Sequence, residues 1–200
     1  TDAAGNVSAA STALSITVDT TAPTLSAVTI ASNNASTTLA KVGDVITLSF
    51  TSDTALGVAT STIKGNIATI ATTSPTTFTA TYTMVTGDTE GTITFNIGFN
   101  DAAGNYGTDV SAITSGANVV FDKTAPAVPT TLNLDANDDT GTSTIDNITK
   151  NTSALTIDGT KDANSSVGLM DGATFLGLVA ADGLTTWSKD ISLAAGVHSI

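Results

Sequence analysis

The sequence predicts an all-β protein, and three observations indicate this fold class. Short segments alternate apolar and polar residues, as half-buried strands do. Turn-forming glycine, asparagine and aspartate separate these segments, and no stretch combines a helical period with helix caps. A long motif also recurs after about 100 residues, the length of one β-sandwich. Together these features predict tandem immunoglobulin-like β-sandwiches.

The repeated motif begins with a five-residue corner. Asp2-Ala3-Ala4-Gly5-Asn6 recurs 99 residues later as Asp101-Ala102-Ala103-Gly104-Asn105. Each copy leads into a predicted strand and then a linker, first Ile16–Pro23 and later Val119–Pro126. Proline fixes its own φ and favours an extended residue before it, so both linkers are predicted to be stiff.

The linkers divide the chain into three parts. Residues 21–124 are predicted to form one complete repeat. Residues 1–20 would be the final strand of a preceding or neighbouring-subunit repeat, and residues 125–200 a repeat that lacks its last strand.

Alternation places the strands within the two repeats. In the first, strands are expected at Leu25–Ile30, Val45–Thr51, Thr77–Thr83 and Thr92–Phe99. Five of their side chains are predicted to face the core: Leu48, Phe50, Ile93, Phe95 and Ile97.

In the second repeat, strands are expected at Leu155–Ile157, Val167–Met170, Thr174–Ala180 and Thr186–Leu193. The pairs Asp171-Gly172 and Asp182-Gly183 are predicted to form tight hairpin turns between them. That role explains both aspartates without an acid–base pair. Trp187 is predicted to pack in the core, and the single histidine, His198, to be structural.

Composition excludes several function classes. The net charge is −12 and the only basic residues are six lysines, so a cationic surface for nucleic acid is not expected. No apolar run approaches the roughly 20 residues that cross a bilayer, so membrane insertion is not expected. Of the 18 acidic residues only Glu90 is a glutamate, and aspartate favours turns. No nucleophile, phosphate-binding or zinc motif is found, and we predict that the chain is not an enzyme.

The corner, the Asp-Thr-Thr-Ala-Pro linker and the segment Ala195–Ile200 resemble the bacterial Ig-like repeats of large adhesins and biofilm-associated surface proteins. The stretch from Asp139 to Thr149 is also similar to that family. The resemblance covers nearly the whole chain. It implies an extracellular location on the cell surface, without disulfides, which agrees with the absence of cysteine.

The resemblance also implies calcium at the junction between repeats. Its ligands would be Asp101 and Asn105 from the corner, Asp122 from the linker, and Asp138, Asp139 and Asp146 from the first loop of the next repeat. Calcium prefers such oxygen ligands, six to eight of them at about 2.3–2.6 Å. Asp2 and Asp19 would form a weaker junction, because Asn33 and Asn34 replace acids in the loop that follows. Alternatively, these aspartates only end strands and cap turns.

Three functions follow as hypotheses. The first is a stiff stalk or fibre that supports adhesion or biofilm formation, with neighbouring repeats or copies of itself as partners. The second is a filament or surface-layer subunit joined by β-strand complementation. The third is a module that binds carbohydrate or protein through loops at one end of a sandwich. In the stalk, host or cell-surface glycans and proteins would be bound by other domains.

Overall fold

The chain folds only into strands and loops. The computed structural model describes residues 1–200, with fifteen strands and no helix, which confirms the all-β prediction. No helix long and apolar enough to cross a membrane is present. The chain divides into two compact units, Thr1–Lys123 and Thr124–Ile200, and the division falls inside the second linker.

The first unit contains ten strands. They are β1 (Leu25–Ser32), β2 (Leu39–Ala40), β3 (Val45–Ser52), β4 (Leu56–Ile63), β5 (Asn66–Ile67), β6 (Thr69–Ser74), β7 (Thr77–Thr83), β8 (Gly91–Thr92), β9 (Phe95–Asp101) and β10 (Val120–Phe121). One antiparallel sheet has the order β1-β3-β7-β6 and a second has the order β5-β4-β9. In a third, small sheet, β10 lies between β2, to which it is parallel, and β8, to which it is antiparallel.

The core of the first unit arises from strict alternation. Along β3, Ile46, Leu48 and Phe50 are buried and the residues between them are half-buried. Seventeen buried apolar residues, from all three sheets and the segments between their strands, form one cluster, so the sheets enclose a common core as in a β-sandwich. Within it the rings of Phe50 and Phe78 stack with centroids 5.4 Å apart. All five predicted core residues are buried, which confirms that part of the prediction.

The second unit is smaller. Its strands are β11 (Thr130–Leu134), β12 (Leu155–Thr160), β13 (Val167–Asp171), β14 (Thr174–Val179) and β15 (Thr186–Ile191). They form a three-stranded sheet, β11-β12-β15, and a β13-β14 hairpin. Seven buried apolar residues form its core, among them Trp187, as predicted. The Trp187 ring packs on β12, where a Cβ at Gly159 would lie only 2.9 Å from Trp187 Cζ2.

Two local predictions are wrong. The predicted strand Thr92–Phe99 is two strands, because the chain leaves β8 at Ile93 and pairs with a different sheet from Phe95 onward. Asp182-Gly183 is not a hairpin turn, because β14 and β15 belong to different sheets. The Asp171-Gly172 hairpin is confirmed, since Asp171 pairs with Thr174 across that turn.

The N-terminal segment forms no strand here. Residues 1–22 are exposed, and the predicted strand around Ile16–Val18 pairs with nothing in the structure. Its pairing with another repeat stays a prediction.

Candidate functional site

Both copies of the corner have the same internal geometry. In the second copy, the backbone N–H and side-chain amide of Asn105 each donate to the Asp101 carboxylate at 2.8 Å. In the first, the corresponding groups of Asn6 donate to Asp2 at 2.9 and 2.8 Å. Gly5 and Gly104 have φ of +89° and +92°, a conformation that favours glycine. The five residues therefore close the corner by themselves, whether or not a sheet surrounds them.

These hydrogen bonds set the charge state of the corner. The Asn105 side-chain amide, with backbone N–H groups, lowers the pKa of Asp101, and Asn6 does the same for Asp2. Each carboxylate is thus held ionised by donors inside its own corner. Asn105 also donates to the Asp19 carbonyl at 3.1 Å, which ties the first linker to the second corner.

In the first unit, the segment after the corner closes the sandwich. Val119 and Phe121 are 0% exposed. The Val120 and Asp122 N–H groups donate to Thr38 and Ala40 at 2.9 Å, and the Val119 carbonyl accepts from Ile93 at 2.8 Å. The slot between β2 and β8 is therefore filled by β10 on both hydrogen-bonding edges.

The second unit has an open groove of about 700 Å³ instead. Its apolar lining includes the core residues Leu134, Leu155 and Ile157 together with Ile148, Leu193 and Val197. Ile148 and Val197 are exposed. The groove thus borders three residues of the second unit's core.

The predicted calcium ligands lie in both units. Asp101, Asn105 and Asp122, with Asp2 and Asp19, belong to the first unit, and Asp138, Asp139 and Asp146 belong to the second. The Asp101 carboxylate already accepts two hydrogen bonds from Asn105. No group of three or more His, Cys, Asp or Glu side chains is placed to hold a metal ion.

The loop between β11 and β12 contains one unsatisfied carboxylate oxygen. Asp139 is 2% exposed, and its Oδ2 accepts from the N–H groups of Asp146 and Asn147 at 3.1 and 3.0 Å. Its Oδ1 is buried without a hydrogen-bond partner. Asp138 accepts from Thr156 N–H at 2.8 Å, and Asp146 from Ile148 N–H at 3.1 Å. Asp146 thus caps a turn, Asp138 ties the loop to β12, and Asp139 retains one unused acceptor atom.

His198 forms a clamp with the β13-β14 hairpin. Its Nδ1 lies 2.7 Å from Asp171 Oδ2, and its Nε2 lies 2.9 Å from the Ala194 carbonyl. Both neighbours are acceptors, so only the protonated ring satisfies both contacts. The Asp171 carboxylate and then the Ala194 carbonyl raise the pKa of His198, while His198 and then the Ser199 N–H lower the pKa of Asp171. His198 lies outside any strand and joins the segment after β15 to the β13-β14 hairpin.

This clamp predicts a pH dependence. The raised pKa of His198 means that its contribution to stability is complete below the unfolded value of about 6.5 and is lost as pH rises through the higher folded pKa. The lowered pKa of Asp171 means that its contribution is lost as pH falls below about 3.8. We expect NMR titration of His198 to give a pKa above 6.5, and Asp171→Asn to reduce it. An unchanged pKa in Asp171→Asn would contradict the clamp.

Sequence reasoning missed one ion pair, between a buried lysine and a half-exposed aspartate. Lys161 Nζ lies 2.8 Å from Asp182 Oδ1 and donates to the Leu184 carbonyl at 3.0 Å, and the Lys161 side chain is almost fully buried. Lys161 lowers the pKa of Asp182 through that hydrogen bond. The pair holds the loop that carries the chain from one sheet to the other. The pair was missed because a lysine directly after a strand is usually exposed.

The aromatic side chains are distributed unevenly. Trp187 is in the core and donates from Nε1 to the Thr160 carbonyl at 3.3 Å. Tyr82 is half-buried and donates from its hydroxyl to Asp88 at 3.1 Å. Tyr106, directly after the second corner, is 79% exposed. Only Tyr106 therefore offers a tyrosine or tryptophan ring to a ligand in solution.

Comparison with known protein families, characterised proteins and solved structures gives no match for this chain.

Proposed function

We propose that this chain is a structural repeat region of an extracellular bacterial surface protein and acts as a stiff stalk or fibre in adhesion or biofilm formation. The order β1-β3-β7-β6 and the pairing of β4 with β9 carry the proposal, because they match the A-B-E-D and C-F arrangement of immunoglobulin domains. In the second unit, β11-β12-β15 matches A-B-E. The proposal assigns the chain no catalytic role.

Two features support a mechanical role. Each unit has its own hydrophobic cluster, so successive repeats can be added without rebuilding a shared core. The corner is closed by its own hydrogen bonds, and the linker after each copy contains a proline. Short connectors of this kind limit the bending of an array.

Small-angle scattering of arrays with two, four and six linked copies tests the proposal. A stalk predicts that the maximum dimension grows in proportion to the number of copies. A particle that stays compact as copies are added would contradict it. A match to immunoglobulin order alone would not distinguish these outcomes, because many functions share that fold.

Calcium is proposed as a structural ligand of the loop that contains Asp138, Asp139 and Asp146. The buried, unpartnered Oδ1 of Asp139 supports this, because a cation would satisfy it. Because no group of three or more acidic side chains is placed to hold an ion, backbone carbonyls and water would complete the coordination.

We expect 10 mM calcium to stabilise the second unit relative to chelator by about 1.4–2.7 kcal/mol, for the dissociation constants of about 0.1–1 mM typical of extracellular calcium modules. Differential scanning calorimetry measures the shift. Asp139→Asn is expected to abolish the difference between calcium and chelator, and Asp158→Asn, the same change on a strand outside the loop, to preserve it. Equal transitions in calcium and chelator would refute the calcium proposal.

The binding-module alternative is favoured by one observation, the exposed Tyr106 beside the second corner. An exposed aromatic ring on a loop can stack on a sugar. Binding of the chain to a glycan array, lost in Tyr106→Ala, would support that function. If neither the unmodified chain nor Tyr106→Ala binds the glycan array, the structural role is the better proposal.

A further inference from the structure

The groove of the second unit occupies the place that β10 fills in the first. Leu39 and Ala40 form β2 and lie shortly before Leu48 in the sequence. Ile148 and Thr149 lie before Ile157 at the same spacing. Leu48 and Ile157 are buried at equivalent positions of β3 and β12, each the middle strand between the first strand of its unit and a later one. In the first unit the β2 residues pair with β10, whereas Ile148 and Thr149 line the open groove.

The other wall of the groove corresponds by its order along the chain, although its spacing from the preceding strand differs. Gly196 and Val197 follow β15 as Gly91 and Thr92, which form β8, follow β7. In the first unit β8 pairs with β10 from the side opposite β2. Counterparts of both strands that hold β10 in the first unit thus line the groove.

The N-terminal segment has a sequence similar to that of β10 and its neighbours. Asp19 lies four residues before Pro23, as Asp122 does before Pro126, so Ile16 and Val18 align with Val119 and Phe121. Val119 and Phe121 are completely buried, whereas Ile16 and Val18 are 76% and 82% exposed. Between Asp2 and Asp19 the segment carries no charged residue, so its burial leaves no charge without water.

We propose that residues 14–19 of a second copy of this chain bind in the groove of the second unit, in the register that β10 uses in the first. This deepens the proposed function and rests on its repeat architecture. Ile16 and Val18 fill the groove, and Thr17 lies beside Ile148 as Val120 lies beside Leu39. The contact joins different surfaces of the two copies, so it propagates into an open linear assembly.

The first test uses the donor segment. In sedimentation velocity, we expect the chain to form concentration-dependent linear oligomers, and Ile16→Asp/Val18→Asp to weaken association by at least about 100-fold, because two carboxylates would enter an apolar groove. Both residues are exposed, so these changes leave the fold intact. Val7→Asp is the matched control: Val7 is also an exposed apolar residue, but it aligns with Tyr106, which is exposed in the first unit. Unchanged association of the double variant would overturn the proposal.

The second test reads the register and the identity of the partner. The chain has no cysteine, so Thr17→Cys and Ile148→Cys introduce a single pair. The aligned pair, Val120 and Leu39, is in register and partly exposed, which suits a disulfide. When the two single variants are mixed, we expect oxidation to give a heterodimer with one disulfide between positions 17 and 148, identified by mass spectrometry. A mixture of Ser8→Cys and Ile148→Cys is the control and is expected to give little disulfide-linked heterodimer.

Two outcomes would overturn the proposal. One is the absence of the heterodimer in the mixture. The other is seen in a chain that carries both Thr17→Cys and Ile148→Cys. If the disulfide forms only within that chain, the segment in the groove is the chain's own. Either result leaves the scattering test of the stalk unaffected, so failure of this inference can be distinguished from failure of the proposed function.

Discussion

Phe121→Ala is expected to destabilise the first unit by about 3–5 kcal/mol, the range for removing a fully buried phenylalanine. Phe121 is 0% exposed, and it lies on a strand of only two residues that closes the sandwich between β2 and β8. Loss of its ring creates a cavity and weakens the hydrogen bonds on both sides. Because β10 is so short, loss of the Phe121 ring is expected to detach β10 from β2 and β8.

Calorimetry of the whole chain measures this loss as a fall of more than about 10 °C in the transition of the first unit. Trp187 is the only tryptophan and lies in the second unit, so its fluorescence reports whether that unit stays folded. Val120→Ala, on the same strand but partly exposed, is the control and is expected to cost at most about 1 kcal/mol. A similar cost for both variants would show that β10 does not close the core.

Trp187→Ala is expected to have the second large effect, about 3–5 kcal/mol on the second unit. Trp187 is the largest of seven buried residues in that core, and its ring covers Gly159. A core this small has little stability to lose, so the variant is expected to unfold the second unit at room temperature.

Amide hydrogen exchange locates the damage. We expect the protection of β12 and β15 to be lost in Trp187→Ala, while β3 and β7 in the first unit keep theirs. Trp187→Phe keeps an aromatic ring in the core while it removes part of the indole and the hydrogen bond to the Thr160 carbonyl, so it serves as the milder control. Loss of protection in both units would contradict the separate cores.

The regular strands of the fold were predictable because they follow alternation. Leu48 and Phe50 show the pattern clearly, since each alternates with a polar residue on a strand with one buried face. The corner was predictable from its repetition. By contrast, β4 was missed because its sequence is mostly small and polar, and only Ser61 and Ile63 on it are buried.

Irregular pairing explains the features of the fold that could not be predicted from the sequence. The break between β8 and β9 depends on which sheet each half joins, and that choice depends on residues far along the chain. The ion pair between Lys161 and Asp182 joins two loops that are distant in sequence. The open groove follows from the expectation of a missing strand, but its walls could be identified only once β10 was seen between β2 and β8.

Force spectroscopy of a linear array of linked copies tests the stalk most directly. If each repeat is a separate load-bearing sandwich, the trace shows discrete unfolding events that each release about 100 residues, roughly 330–360 Å of extended chain before the folded length is subtracted. The number of events then rises with the number of linked copies. A smooth extension without discrete events would contradict a stalk built from independent sandwiches.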